Sequence, residues 1–180
     1  MKEIVPNLHQ YIRRVPDFPK KGIVFWDMTT LLRDKEAFYK TIQAFHEHYK
    51  EMAIDYVASI ESRGLIIGSV LAYLLHVGFI PIRKKGKLPH TTIEESYEKE
   101  YGPDTVAIHK DALSKGDRVL VVDDLLATGS TSQAACKLIE RRDAEIVECA
   151  FIVEFTDFNA RVKLDKYTIF SLIQCKEGER

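Results

Sequence analysis

Arg118-Val-Leu-Val-Val-Asp-Asp-Leu-Leu-Ala-Thr-Gly-Ser-Thr131 decides the fold. It opens as an apolar, β-branched run, the composition of a strand buried on both faces of a parallel sheet. The run stops at adjacent acids, Asp123 and Asp124, and passes into a short loop of small and hydroxylated residues. Ser132-Gln-Ala-Ala-Cys-Lys-Leu-Ile-Glu-Arg-Arg142 then reads as a helix. A strand, an acidic pair, a small-residue turn and a helix start together make a site for a sugar phosphate. Loop amides and the positive end of a helix dipole suit a phosphate, and carboxylates accept strong hydrogen bonds from hydroxyls. Ala127, Thr128, Gly129, Ser130 and Thr131 form the natural cradle, with Gly129 permitting close backbone approach and the hydroxyls adding donors. The loop is not a P-loop, because no Gly-Lys-Ser/Thr stands at the required spacing. On an unbroken strand Asp123 and Asp124 point to opposite faces, so both reach one ligand only if the strand is ending there.

Upstream, Asp34 to Lys50 carries Ala37, Phe38, Thr41, Ile42 and Phe45 at helical spacing, with Asp34 as N-cap. Tyr56-Val-Ala-Ser-Ile60 is a short buried strand, Gly64 to His76 an apolar helix, and Phe79-Ile-Pro-Ile-Arg83 a second strand, together a right-handed crossover unit. Residues 84 to 104 are polar, charged and poorly periodic, and read as a long excursion, after which Thr105-Val-Ala-Ile-His109 alternates weakly as a strand. Further strands are expected at Ile146 to Val153 and Tyr167 to Ile173. The pattern is α/β, a mostly parallel twisted sheet flanked by helices. One domain covers 1–180, with a small N-terminal hood over about 1–32, a core over about 33–175 and a flexible loop over about 86–104. Pro16-Asp-Phe-Pro-Lys-Lys-Gly22 marks the hood as turn-rich. Ligands of such sheets bind at the carboxyl ends of strands, where Arg63, Arg83, Asp123 and Glu154 all fall.

Bulk properties narrow the function. With 26 basic and 27 acidic side chains the net charge is -1, which offers no global attraction to nucleic acid or an anionic membrane. The basic run Arg83-Lys-Lys-Gly-Lys87 therefore needs a local explanation. Cys136, Cys149 and Cys175 lack Cys-x-x-Cys spacing and read as reduced thiols, and His46 and His48 are too scattered for a metal site and read as surface. The apolar run Leu65 to Leu75 is too short to span a bilayer, and Met1-Lys-Glu-Ile-Val-Pro lacks a signal-peptide core, so a cytoplasmic setting is expected.

The segment Val121-Val-Asp-Asp-Leu-Leu-Ala-Thr-Gly-Ser-Thr131 closely resembles the phosphoribosyl-pyrophosphate (PRPP) signature of the type I phosphoribosyltransferases, and most of all their adenine-specific branch. Further matches, in family order, are Asp17-Phe-Pro-Lys-Lys-Gly-Ile-Val-Phe-Trp-Asp27, Glu61-Ser-Arg-Gly64, Ile82-Arg-Lys-Lys-Gly-Lys-Leu-Pro89, Ser96-Tyr-Glu-Lys-Glu-Tyr-Gly102 and Val153-Glu154. The resemblance implies purine salvage, with adenine and PRPP giving AMP and pyrophosphate. It makes Asp123, Asp124 and Ala127 to Thr131 the PRPP-binding core, and gives Arg63, Arg83, Lys84 and Lys87 to the pyrophosphate. It places a cis peptide between Glu61 and Ser62. Glu100 becomes the general acid/base and Tyr101 the residue sealing a mobile loop. Val24, Phe25 and Trp26 form the adenine pocket, with Phe25 stacking, backbone groups of Val24 and Trp26 reading the base edge, and Phe155 covering the other face. Mg²⁺ is implied as cofactor, held mainly by PRPP oxygens and waters without direct protein ligands. A homodimer is also implied. Ser130 and Trp26 depart from the family, which often has glycine and arginine at those places. Rival readings are the same chemistry on 6-oxopurines, a PRPP-sensing regulator without catalysis, and a generic nucleotide-binding α/β protein.

Overall fold

In the computed structural model, which describes residues 1–99 and 102–179, the apolar runs lie side by side as strands of one sheet. The hood contributes β1 (Lys2–Glu3), β2 (Arg13–Pro16), β3 (Val24–Asp27) and helix α1 (Thr29–Arg33). Then follow α2 (Lys35–Tyr49), β4 (Tyr56–Ile60), α3 (Arg63–Leu75), β5 (Gly78–Lys84), β6 (Thr92–Lys99) and β7 (Gly102–His109). The chain ends with β8 (Arg118–Leu126), α4 (Ser130–Glu140), β9 (Glu145–Phe155), the short helix α5 (Ala160–Lys163) and β10 (Ile169–Cys175). The eight-stranded sheet runs β1-β10-β9-β8-β4-β5-β7-β6. Its five central strands are parallel, and β1, β7 and β6 are antiparallel additions at the edges.

β8 shows why its sequence is apolar throughout. Leu120 and Val122 pack with Phe45 of α2 and Ile67 and Leu71 of α3 on one face. Val119 and Val121 pack with Ala134 and Leu138 of α4 on the other, and all four strand residues are fully buried. α2 forms as its spacing dictates. Asp34 accepts from the Glu36 and Ala37 amides at 3.1 and 2.9 Å, and Ala37, Thr41, Ile42, Phe45 and Tyr49 make the buried face.

The chain leaves β4 through α3 toward β5, and leaves β8 through α4 toward β9 on the far side. Those connections diverge, so a crevice opens at the carboxyl ends of β4 and β8. The two strands also differ in reach. Pairing with β4 stops at Ser59 opposite Val122, whereas β8 stays paired to β9 as far as Leu126 opposite Glu154. Asp123 and Asp124 lie past the last residue of β8 paired to β4, on an uncovered edge, although β8 itself continues.

Two expectations are corrected here. The stretch over 84–104 is not a long irregular excursion: β6 and β7 form an antiparallel hairpin, in register from Thr92 opposite His109 to Lys99 opposite Gly102. Its inner face is apolar at Ile93, Tyr97, Val106 and Ile108 but interrupted by Glu95 and Asp104, so no clean alternation marks it. His48 is not a surface bystander. Its Nε2 lies 2.9 Å from Glu148 and its ring stacks on Phe170 at 3.8 Å and 7°, where the end of α2 crosses β9 and β10. The hood also holds more order than a turn-rich stretch, because β2 and β3 pair antiparallel from Arg13 opposite Asp27 to Pro16 opposite Val24.

Glu154, at a strand end, is 3% exposed and serves the fold. Arg161 donates to it twice, at 2.6 and 2.8 Å, and Ser171 and Gln174 at 2.8 and 3.2 Å. Burial pushes its carboxyl up, but these donors, Arg161 foremost, hold the net value below the usual range. A depressed carboxylate contributes stability above its unfolded pKa and loses it as pH falls through its folded one. Arg161→Met should therefore cost about 2 kcal/mol in urea unfolding at neutral pH, and the gap from the natural protein should shrink as pH drops below the carboxylate range.

Candidate active site

The crevice holds a cavity of about 310 Å³ built by several strand ends. The turn after β4 brings Glu61, Ser62 and Arg63, β5 brings Lys84, β8 brings Asp123 and Asp124, and α4 brings Thr131. The peptide between Glu61 and Ser62 is cis. Arg63 Nε donates to Asp124 Oδ2 at 2.5 Å, and its guanidinium carbon stands 5.5 Å from the centre of the Phe25 ring. The Asp124 amide donates to Asp123 Oδ1 at 2.9 Å. Burial first, and then the charge of Asp124, push the Asp123 carboxyl well above its ordinary range, with the Asp124 amide and Arg63 pulling the other way. So the acids foreseen as a pair do share one cavity, one of them already matched by a cation.

The basic run divides. Lys84 borders the cavity, with its Nζ 3.5 Å from Asp104. Arg83 turns to an ion pair with Glu61, Lys85 to Glu94 at 2.8 Å, and Lys87 is exposed outside the lining. The structure thus brings Arg63 and Lys84 together with the acids, and does not bring Arg83 or Lys87 into that wall. Glu100 and Tyr101, the expected acid/base and seal, lie outside the described residues, between β6 and β7.

The phosphate cradle folds as its composition dictates. Gly129 has φ 76°, and a Cβ there would stand 3.1 Å from that of Ala160. Ser130 begins the helix and has no positive φ, so a serine fits there without backbone strain. Gly129 offers α4 no side-chain cap, so the first-turn amides stay available to an anion.

A second cavity, of about 320 Å³, adjoins the first. β3 lines it with Val24, Phe25 and Trp26, the cradle with Ala127 and Thr128, and the end of β9 with Phe155. These are the residues expected around a planar base. Trp26 is 2% exposed and anchored: its ring meets Phe155 edge-on at 5.2 Å, its Nε1 donates to the Glu177 carbonyl at 3.3 Å, and Arg14 covers it at 4.3 Å. It is a wall, which leaves the reading of a base edge to backbone groups of β3.

Some residues of the two cavities escape the sequence reading. Leu125 lines both and is their shared wall. Phe158 lines the aromatic cavity, Tyr97 the acidic one. Position within the PRPP-like motif is the one signal that points to Leu125. Gly64 is also structural to the site, since a Cβ on it would lie 2.7 Å from Asp123 Oδ1 and 3.1 Å from the Val122 carbonyl. Among the described residues no cluster of three His, Cys, Asp or Glu could hold a metal by itself.

The pattern of the phosphoribosyl transferase domain matches residues 28–179. The adenine phosphoribosyltransferase of Halothermothrix orenii is 53% identical over 93% of this chain and 99% of its own. This chain belongs to the adenine phosphoribosyltransferase family. A crystal structure of the Thermoanaerobacter pseudethanolicus member, 47% identical, superposes with a TM-score of 0.90 over 93% of this chain and 97% of that one. The Saccharomyces cerevisiae member, 40% identical with a TM-score of 0.86 over 92% and 96% of the chains, was solved with adenine and an imino-altritol bisphosphate. The mixed α/β architecture is thus that of the type I family.

The close approach at Gly64 is testable. Gly64→Ala should cost about 1–3 kcal/mol in denaturant unfolding, as overpacking against backbone does, whereas Gly178→Ala, with nothing within 4 Å, should stay within about 0.5 kcal/mol of the natural protein.

Proposed function

We propose that the protein transfers the phosphoribosyl group of PRPP to adenine, forming AMP and pyrophosphate in purine salvage. The observation that carries this reading is the shared wall at Leu125: an acidic, cation-bearing cavity and an aromatic cavity meet there, as a ribose donor and a flat base require. The adenine held by the yeast family member supports the choice of base over the 6-oxopurines.

The residues divide the work. The 5-phosphate sits on the amides and hydroxyls of Ala127 to Thr131. Asp123 and Asp124 accept from the ribose hydroxyls. Asp124 has Oδ1 for this while Oδ2 keeps Arg63, whose remaining guanidinium N–H groups face the departing pyrophosphate. Lys84 adds charge on the same side. As the C1–oxygen bond breaks, its electron pair leaves on pyrophosphate while the adenine nitrogen bonds to C1. The nitrogen's proton passes to a base, for which the family pattern nominates Glu100, with Tyr101 closing over the site. Phe25 and Phe155 hold the ring between apolar surfaces.

The donor set around Asp123 fits Mg²⁺ arriving with PRPP: among the described residues lining the cavity, Glu61 and Asp124 are paired to Arg83 and Arg63, and Asp123 is pushed toward its neutral form. When bound, the ion supplies charge neutralisation on the phosphate oxygens. A homodimer is supported by an apolar face on α3 and β5: Ile66 is 47%, Tyr73 82%, Leu74 37% and Phe79 36% exposed. A cytoplasmic setting accords with three free, buried thiols, and among the described residues no helix is long and apolar enough to cross a membrane.

The test is PRPP-dependent turnover. Adenine should be converted to AMP, hypoxanthine and guanine at least about a hundredfold more slowly, given a site whose polar groups match one base edge, and chelation of divalent ions should abolish turnover. Absence of AMP with magnesium present rules the reading out. For the assembly, Ile66→Asp with Tyr73→Asp should convert a dimer to a monomer in sedimentation velocity; a natural protein already monomeric at micromolar concentration removes the dimer.

A further inference from the structure

The cradle over Ala127 to Thr131 is made of neutral donors, amides and hydroxyls, yet its ligand is a phosphate. Lys163 stands beside it. Its Nζ donates to Ser130 Oγ at 2.7 Å, and Thr128 Oγ1 donates to the same oxygen at 3.5 Å. The ammonium therefore ends a row of donors at the first turn of α4.

The backbone of Lys163 is fixed independently of its side chain. Gln133 of α4 donates from Nε2 to the Lys163 carbonyl at 3.0 Å. Leu164, the next residue, is fully buried. Ala160, at the other end of α5, presses on Gly129 so closely that no side chain fits between them. The segment carrying Lys163 is docked on the cradle at both ends, and among the described residues no carboxylate is paired with the lysine.

We propose that Lys163 is a phosphate-binding residue of this site, with Ser130 holding its ammonium toward the 5-phosphate of the sugar. The proposal deepens the phosphoribosyl-transfer reading and rests on it. It also gives the departure at position 130 a purpose. Glycine there would leave the lysine without an oxygen to lean on, and its rotamer freedom would be lost only when the ligand binds. Serine spends that ordering beforehand. An ammonium facing a phosphate makes a charge-assisted hydrogen bond, stronger than a neutral one. Lys163 is exposed, so solvent and salt screen part of the gain.

Calorimetry on the full chain tests this with two probes, ribose 5-phosphate and pyrophosphate with magnesium. Lys163→Met should weaken ribose 5-phosphate by roughly three- to tenfold and leave pyrophosphate unchanged, because the pyrophosphate wall is built by Arg63 and Lys84. Lys163→Arg should restore most of the affinity, Ser130→Gly should weaken the same probe by a smaller factor, and the KM for PRPP should rise with it while that for adenine does not. An unchanged ribose 5-phosphate affinity in Lys163→Met, or an equal loss for both probes, overturns the role of Lys163. A natural protein that binds neither probe overturns the phosphoribosyl reading itself, and the lysine's role with it.

Discussion

Everything at the site follows from a difference in length between two paired strands. The pairing of β4 with β8 stops at Val122, and β8 runs on with one edge bare. A bare edge at the carboxyl end of a buried strand is where polar side chains can stand without covering hydrophobic neighbours. The alternating geometry of a strand would send Asp123 and Asp124 to opposite sides of a complete sheet. With one neighbour gone, both line the same cavity. α3 has to start in that gap, and it can do so only because Gly64 brings no side chain against Asp123 and the Val122 carbonyl.

Two adjacent carboxyls so placed create an electrostatic problem, since burial and mutual repulsion both disfavour ionisation. The fold answers unequally. Asp124, 5% exposed, has Arg63; Asp123 has an amide and is pushed toward its neutral form. A buried ion pair of this kind is weak support for stability, because desolvation offsets its attraction. Its value lies in what it keeps ready. On the proposed reading, the guanidinium that balances Asp124 also faces the pyrophosphate side of the donor, so one cation serves both anions.

Much of this was legible in the chain. Where burial is two-sided or an amphipathic face is long, the pattern is unambiguous: Tyr56–Ile60 forms the strand its composition announces, and Asp34 caps α2. The motif around Asp123 fixed the crevice because residue chemistry and position agree there. The β6–β7 hairpin was hidden, since Glu95 and Asp104 interrupt the apolar face made by Ile93, Tyr97, Val106 and Ile108 and blur its period. The division of Arg83, Lys84, Lys85 and Lys87 was equally hidden: consecutive cations look alike in sequence, and only the placement of Glu61, Glu94 and Asp104 sorts them. His48 depends on Glu148, 100 residues away, and Lys163 on Ser130, 33 residues away, and no local pattern reports such pairs.

The phosphoribosyl transferase pattern begins at residue 28, yet the aromatic cavity is lined from Gly22 to Trp26, before it. On the proposed reading the sugar phosphate falls to the ends of the sheet, and the base lies between the hood and the ends of β8 and β9. The two parts are not independently placed. Trp26 locks the hood to Phe155 and to the Glu177 carbonyl, so β3 is held by the strand that flanks β8 and by the chain following β10. Leu125, one residue beyond the acids, closes the base cavity from below. On the proposed reading, a flat ring seated on that side chain would be positioned by the same strand as the ribose, so alignment of the reacting atoms would depend on one rigid element and not on the accuracy with which two separate parts come together.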